Sequence, residues 1–165
     1  MSSVNTGKAS EEATGHVREL LRSHGLRYSR PREAILELFH TSGVGHISAE
    51  GLHKTLRDAG EDVSLSTVYL NLSVLREAGL VNEFPGANGE AIFDRNTQPH
   101  YHLICSDTGE IVDVPELEVD GVPLGQYVRE RLEKSTGWKL EEPEITLRGR
   151  RFVGSGPRTG ANRRS

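Results

Sequence analysis

The sequence predicts an α+β fold in which an N-terminal winged-helix domain is followed by a small α/β domain. Two observations support this prediction. Apolar residues recur at helical spacing as far as residue 79, and short apolar runs typical of strands follow from residue 80. The chain has 165 residues, of which 35% are hydrophobic, so one domain or two small ones can form and a large multidomain enzyme is excluded.

Four helices are predicted before residue 80. The first ends at Gly25, because glycine suits a left-handed C-cap, and Pro31 suits the first turn of the second helix. Ser48 and Ser64 precede apolar stripes at the positions where the third and fourth helices need an N-cap. The fourth helix ends at Gly79.

Strands are predicted in the second part of the chain. LVNEF and AIFD flank the turn PGANGE and form a β-hairpin, the expected wing. HYHLIC and EIVDV predict a second hairpin, followed by a helix in GVPLGQYVRERLEKSTG and a last strand in WKLEEPEITLRGRRF. The predicted boundaries are a disordered arm at 1–13, a winged-helix domain at 14–94, a hinge at 95–99, a second domain at 100–153 and a disordered basic tail at 154–165.

Composition limits the classes of function. The net charge is −4 and the pI is about 6.0, so contact with nucleic acid requires a local basic patch. Cys105 is the only cysteine, which excludes an internal disulfide and a CxxC zinc site. No apolar run approaches the roughly 20 residues that span a bilayer, so we expect a soluble, cytoplasmic protein without membrane contact.

The fourth predicted helix, in SLSTVYLNLSVLREAG, is the candidate DNA-reading helix. Its inner face is a Leu/Val stripe, and its outer face offers hydroxyl and amide groups that can bond to base edges. The arginines of RYSRPR can contact phosphates. An ordinary solvated helix face is the alternative. The predicted DNA-binding residues are Arg27, Arg30, Arg32, Ser64, Ser66, Thr67, Tyr69 and Asn71.

A second group of residues has the chemistry of a metal site. His100 and His102 flank one residue of a predicted strand, so alternation places both imidazoles on one face. Asp94, Asp113 and His46 complete a nitrogen/oxygen set that lies on both sides of the predicted hinge. Such a set suits Mn²⁺, Fe²⁺, Co²⁺ or Zn²⁺ rather than Cu⁺. Each member alone has an ordinary explanation. A single His is more often a surface or core residue than a ligand, and an Asp at a strand end usually caps a turn.

The sequence resembles the ferric uptake regulator (Fur) superfamily of bacterial metalloregulators, most closely its peroxide-sensing (PerR) type. The matching motifs, in family order over roughly residues 17–150, are LRYSRPREAIL, HISAEGLHKTL, VSLSTVYLNLSVLREAGLV, FDRNTQPHYHLICSDTGEIVDV and GWKLEEPEITLRG. The resemblance implies a homodimer, with a dimerisation domain at 100–153, that binds a palindromic operator in double-stranded DNA when a divalent metal occupies the hinge site. The implied ligands are His46, Asp94, His100, His102 and Asp113.

The chain departs from the family pattern at three places. The two CxxC pairs that usually hold zinc are missing, so no structural zinc bound by four cysteines is expected. Pro99 and Tyr101 replace ligands of an auxiliary metal site, which predicts one metal ion per subunit. Leu70 stands where many members have Arg or another polar residue, and this affects which operator is bound.

The sequence thus predicts a metal-dependent transcriptional regulator, a repressor of metal homeostasis or peroxide stress genes, with no catalytic residues. Mn²⁺ or Fe²⁺ is the expected ion in the cell, and Zn²⁺ is expected to bind in vitro. The resemblance leaves open whether peroxide oxidises His46 or His100. The alternatives are a metal-independent winged-helix protein or adaptor, and a non-heme metal enzyme built on His100, His102 and one Asp.

Overall fold

The computed structural model describes residues 6–41, 43, 45–141 and 143–151, with side chains from Gly15 onward. The chain divides into two compact units, Met1–Gln98 and Pro99–Ser165. The boundary falls inside the segment 95–99 that the sequence predicts as a hinge. The predicted tail at 154–165 and residues 1–5 of the predicted arm lie outside the described residues.

The first unit contains the four predicted helices. Ser48 and Ser64 are the N-caps of the third and fourth helices, as predicted: their side chains accept hydrogen bonds from the backbone N–H groups of Gly51 and Thr67. Gly25 has φ of 70°, the left-handed conformation that ends the first helix. The helices are α1 (Thr6–Ser23), α2 (Arg30–Thr41), α3 (Ala49–Asp58) and α4 (Leu65–Glu77).

The start of α1 corrects the predicted arm. The backbone is helical from Thr6, so the prediction of disorder is wrong for residues 6–13. This segment contains Ala, Glu and Lys, which have high helix propensity. Extending an existing helix costs much less than nucleating one, so these residues do not need an apolar face of their own.

A three-stranded sheet completes the winged helix. Strands β2 (Asn82–Pro85) and β3 (Ala91–Asp94) form the predicted hairpin, and β1 (His46–Ser48) pairs antiparallel with β3, giving the order β1-β3-β2. Strand β1 is not among the elements predicted from the sequence. The apolar core of this unit is formed by all four helices, β3 and the residue before β2; its largest fully buried side chains include Leu21, Ile35, Phe39, Leu52, Leu56, Leu72 and Leu75.

The second unit is a small α/β structure. Its elements are β4 (His100–Cys105), β5 (Ile111–Pro115), β6 (Glu118–Val119), β7 (Val122–Pro123), α5 (Leu124–Thr136) and β8 (Thr146–Gly149). The main sheet has the order β5-β4-β8, with β5 antiparallel and β8 parallel to the central strand β4. The Tyr101 hydroxyl on β4 accepts a hydrogen bond of 3.2 Å from the backbone N–H of Gly125 in α5.

Within the part of the chain that the structure describes, no helix is both long and apolar enough to cross a bilayer.

The Ser64 cap gives a first testable prediction. We expect Ser64→Ala to lower the free energy of unfolding by about 1 kcal/mol, because the N–H of Thr67 loses its acceptor. Thermal or urea unfolding measures the effect. Ser73→Ala, in the middle of the same helix, is the control and should be within about 0.5 kcal/mol of wild type, since alanine has the higher helix propensity. Equal stability of Ser64→Ala and wild type would contradict the capping role.

Candidate metal and DNA-binding sites

The first unit brings together two of the predicted metal ligands. His46 opens β1 and lies directly opposite Asp94, the last residue of β3, in the antiparallel register. The Nε2 atom of His46 is 3.8 Å from Oδ2 of Asp94, whose side chain is 1% exposed. The other carboxylate oxygen, Oδ1, accepts a hydrogen bond of 2.8 Å from the N–H of Asn96. Asp94 therefore caps a turn with one oxygen and presents the other oxygen to the imidazole.

The second unit brings together the other three. His100 and His102 point to one face of β4, as alternation predicts, and Asp113 on β5 lies opposite His102 in the register. The two Nε2 atoms are 3.0 Å apart. Oδ1 of Asp113 is 3.6 Å from Nε2 of His100 and 3.8 Å from Nε2 of His102. Both imidazoles are at least nine-tenths buried, whereas the Asp113 side chain is 42% exposed.

The spacing within each cluster fits a divalent cation. Bonds from Zn²⁺ to His nitrogen and carboxylate oxygen are about 2.0–2.2 Å long, so neighbouring ligand atoms around one ion lie about 3 to 4 Å apart. Every distance measured in the two clusters lies in this range. The donors are imidazole nitrogen and carboxylate oxygen, the combination that first-row divalent ions accept.

The predicted DNA-reading residues differ in exposure. Ser64, Ser66 and Tyr69 are exposed and Thr67 is partly exposed. The Ser64 hydroxyl lies within 3.0 Å of the Ser66 and Thr67 hydroxyls, so these three groups form one polar cluster at the N-terminus of α4.

The prediction that Asn71 belongs to the outward face is wrong. Its side chain is only 6% exposed and donates a hydrogen bond of 2.7 Å to the carbonyl of Thr67. Asn71 follows Val68 by three residues and precedes Leu75 by four, so it lies on the buried stripe of the helix. That spacing was a signal in the sequence.

Glu50 contacts the candidate DNA-reading helix and was not predicted from the sequence. The Tyr69 hydroxyl donates a hydrogen bond of 2.6 Å to Oε1 of Glu50, in the first turn of α3. This hydrogen bond lowers the pKa of the Glu50 carboxyl and raises the pKa of the Tyr69 hydroxyl. No short-range pattern joins residues on two different helices, so the sequence offered no signal for the pair.

The three predicted phosphate-binding arginines differ from one another in their exposure and contacts. Arg27 is exposed. Arg30 donates a hydrogen bond of 2.9 Å to Glu33 and also pairs with Glu61. Nη1 of Arg32 donates to the carbonyl of Arg27 at 2.7 Å, so Arg32 braces the loop before α2.

Comparison with known proteins places the chain among metalloregulators. The model of the ferric uptake regulator family matches residues 23–148. The ferric uptake regulation protein of Pseudomonas aeruginosa is 36% identical over 128 residues, covering 77% of this chain and 91% of the relative. The peroxide operon regulator of Bacillus subtilis is 40% identical over 132 residues, covering 79% and 86% of the two chains.

A solved structure agrees with this assignment. The crystal structure of the Vibrio cholerae ferric uptake regulator is similar with a TM-score of 0.62 and 31% sequence identity, and the match covers 81% of this chain and 98% of that one. The predicted combination of a winged helix and a second α/β domain is therefore confirmed as the fold of these regulators. With the family model spanning most of its length, the chain belongs to the ferric uptake regulator family.

Proposed function

We propose that the chain is a metal-dependent, DNA-binding transcriptional regulator that represses genes of metal homeostasis or peroxide stress in response to Mn²⁺ or Fe²⁺. The observation on which this rests most is the His100, His102 and Asp113 cluster, because two buried imidazole nitrogens 3.0 Å apart suit a shared cation. Family membership supports the proposal. So do its relatives, since the ferric uptake regulator of Pseudomonas aeruginosa has a structure with manganese.

Both His/Asp clusters are proposed to bind one and the same ion in each subunit. The second unit would supply three ligands and the first unit two, so the ion would be held by five imidazole and carboxylate donors. Only residues 95–99 separate Asp94 from His100, and a fully extended chain of this length spans at most about 20 Å. A linker of this length allows both clusters to reach one ion.

Such a shared ion supplies positive charge and coordinate bonds that tie the two clusters together. His46 and Asp94 then fix the winged-helix unit, while His100, His102 and Asp113 fix the second unit. In the proposed homodimer, two reading helices must match two half-sites of a palindromic operator at a fixed spacing. By restricting the orientation of each winged helix, the ion favours the pose that contacts both half-sites. The metal affinity is then higher in this pose than in other orientations of the winged helices.

The proposed five-residue ligand set suits regulation better than catalysis. A two-His, one-carboxylate set also occurs in non-heme iron enzymes, but these enzymes keep several open coordination positions for substrate. Adding His46 and Asp94 to the set removes two of those positions. The exposed outer face of α4 and its N-terminal hydroxyl cluster suit a DNA groove and its phosphates. A regulator that binds DNA in this way acts in the bacterial cytoplasm.

Metal dependence of DNA binding tests the proposal directly. Duplexes enriched from a random library by the Mn²⁺-loaded protein serve as probes in fluorescence anisotropy at constant ionic strength. We expect EDTA to lower the affinity about 5- to 150-fold, the usual range of coupling between two ligands, and excess Mn²⁺ to restore it. Equal affinity with and without EDTA would favour the metal-independent alternative. Failure to enrich any duplex would overturn the assignment as a DNA-binding protein.

A further inference from the structure

The outward face of α4 lacks the side chains that most often read purines. Bidentate contacts to guanine or adenine come from Arg, Lys, Asn or Gln, and α4 contains only two such residues, Asn71 and Arg76. Asn71 is buried and bonded to the carbonyl of Thr67. Arg76 lies in the last turn and pairs with Glu83 on β2 at 2.5 Å. Base reading by this helix must therefore rely on hydroxyl groups and apolar surface.

Apolar surface is what the middle of the helix presents. The Leu70 side chain is 65% exposed, and the neighbouring Tyr69 is 43% exposed. The Tyr69 hydroxyl is bonded to Glu50, which leaves the ring as its contact surface. Ser66 lies one turn before Leu70 and is exposed on the same side. The leucine therefore stands beyond the polar cluster as an exposed aliphatic group on the proposed reading face.

We propose that Leu70 is a specificity-determining residue that reads thymine by packing on its C5 methyl group. This inference rests on the proposed DNA-binding function. In the major groove only thymine presents a methyl group, so an aliphatic side chain there distinguishes thymine from the other bases without any hydrogen bond. Burying the exposed leucine against that methyl also removes apolar surface from water, which favours binding.

Replacement of thymine by uracil tests the inference, because uracil keeps the pairing with adenine and lacks only the methyl group. Each thymine of a duplex selected by the wild-type protein is replaced in turn, and the dissociation constant is measured at saturating Mn²⁺. We expect one position in each half-site at which the loss of a methyl weakens wild-type binding about fourfold, the factor that corresponds to one buried methylene-sized group. In Leu70→Ala the same replacement should change the constant less than about 1.5-fold.

Two controls keep this result separate from the proposed function. Leu117→Ala removes an exposed leucine, 44% accessible, from the second unit and should retain the full response to uracil. Circular dichroism should show Leu70→Ala folded as wild type, since the side chain is mostly exposed and alanine favours the helix. If uracil weakens wild type and Leu70→Ala equally, Leu70 does not read the methyl although DNA binding stands. If wild type binds no duplex, the proposed function itself fails.

Discussion

Replacing His102 by alanine is expected to reduce the affinity for Mn²⁺ by about 100-fold or more. Removing a residue that only hydrogen-bonds to a metal ligand already lowers metal affinity about 10- to 100-fold. His102 is itself a proposed ligand, so its loss should lower the affinity at least as much. Its imidazole is 9% exposed, and its Nε2 atom lies 3.0 Å from that of His100 and 3.8 Å from the carboxylate of Asp113. Calorimetric titration with Mn²⁺ measures the affinity, and anisotropy should show the DNA-binding curve displaced to higher Mn²⁺ by a similar factor.

Matched variants distinguish the loss of a metal ligand from a general disturbance of the fold. His16→Ala removes an exposed imidazole from α1, outside both clusters, and should leave the Mn²⁺ affinity within about twofold of wild type. Asp94→Asn keeps the shape of a buried side chain in the first unit but removes its charge. If the two clusters share an ion, Asp94→Asn also weakens Mn²⁺ binding. Unchanged affinity in a folded His102→Ala protein would refute the metal site.

Local rules predicted most of the fold. The helices of the first unit could be predicted because Ser48 and Ser64 combine N-capping chemistry with the apolar stripes that follow them. The wing and the second hairpin could be predicted from short runs that flank glycine-containing turns. Strand β1 has only three residues, too few for a periodic pattern, and its formation depends on pairing with β3.

The candidate sites were predictable to different degrees. Alternation within one strand suffices to place His100 and His102 on the same face. The position of Asp113 opposite His102 depends on the register between two strands, which the turn determines and a residue pattern does not show. The pairing of Arg30 with Glu61, 31 positions later in the chain, is a tertiary contact that no local pattern indicates. Side-chain partners that are distant in the sequence were therefore the part that required the structure.

One such tertiary feature is a buried carboxylate in the winged-helix unit. Glu33 on α2 is 1% exposed and accepts hydrogen bonds from three donors: the Tyr28 hydroxyl at 2.7 Å, Nη1 of Arg30 at 2.9 Å and Nε of Arg18 at 3.2 Å. Burial by itself raises the pKa of the Glu33 carboxyl, but the three hydrogen bonds outweigh this effect and the pKa lies below its ordinary value. The charged form of Glu33 therefore links α1, α2 and the loop between them.

We expect Glu33→Gln to lower the free energy of unfolding at pH 7 by about 2 to 3 kcal/mol, because hydrogen bonds from charged donors to a carboxylate become bonds to a neutral amide. The sign of the pH dependence follows from the lowered pKa. Glu33 contributes its full stability above the pKa of the unfolded chain, and the contribution is lost as the pH falls through the lower pKa of the folded state. Urea unfolding from pH 7 down to about pH 3 should therefore show that the stability difference between variant and wild type becomes smaller as the pH falls.

Glu19→Gln is the control: it removes an exposed carboxylate paired with Arg22 and should lower the free energy of unfolding by less than about 0.5 kcal/mol. A loss for Glu33→Gln no larger than for Glu19→Gln, or one that does not change with pH, would show that the buried carboxylate does not stabilise the winged helix.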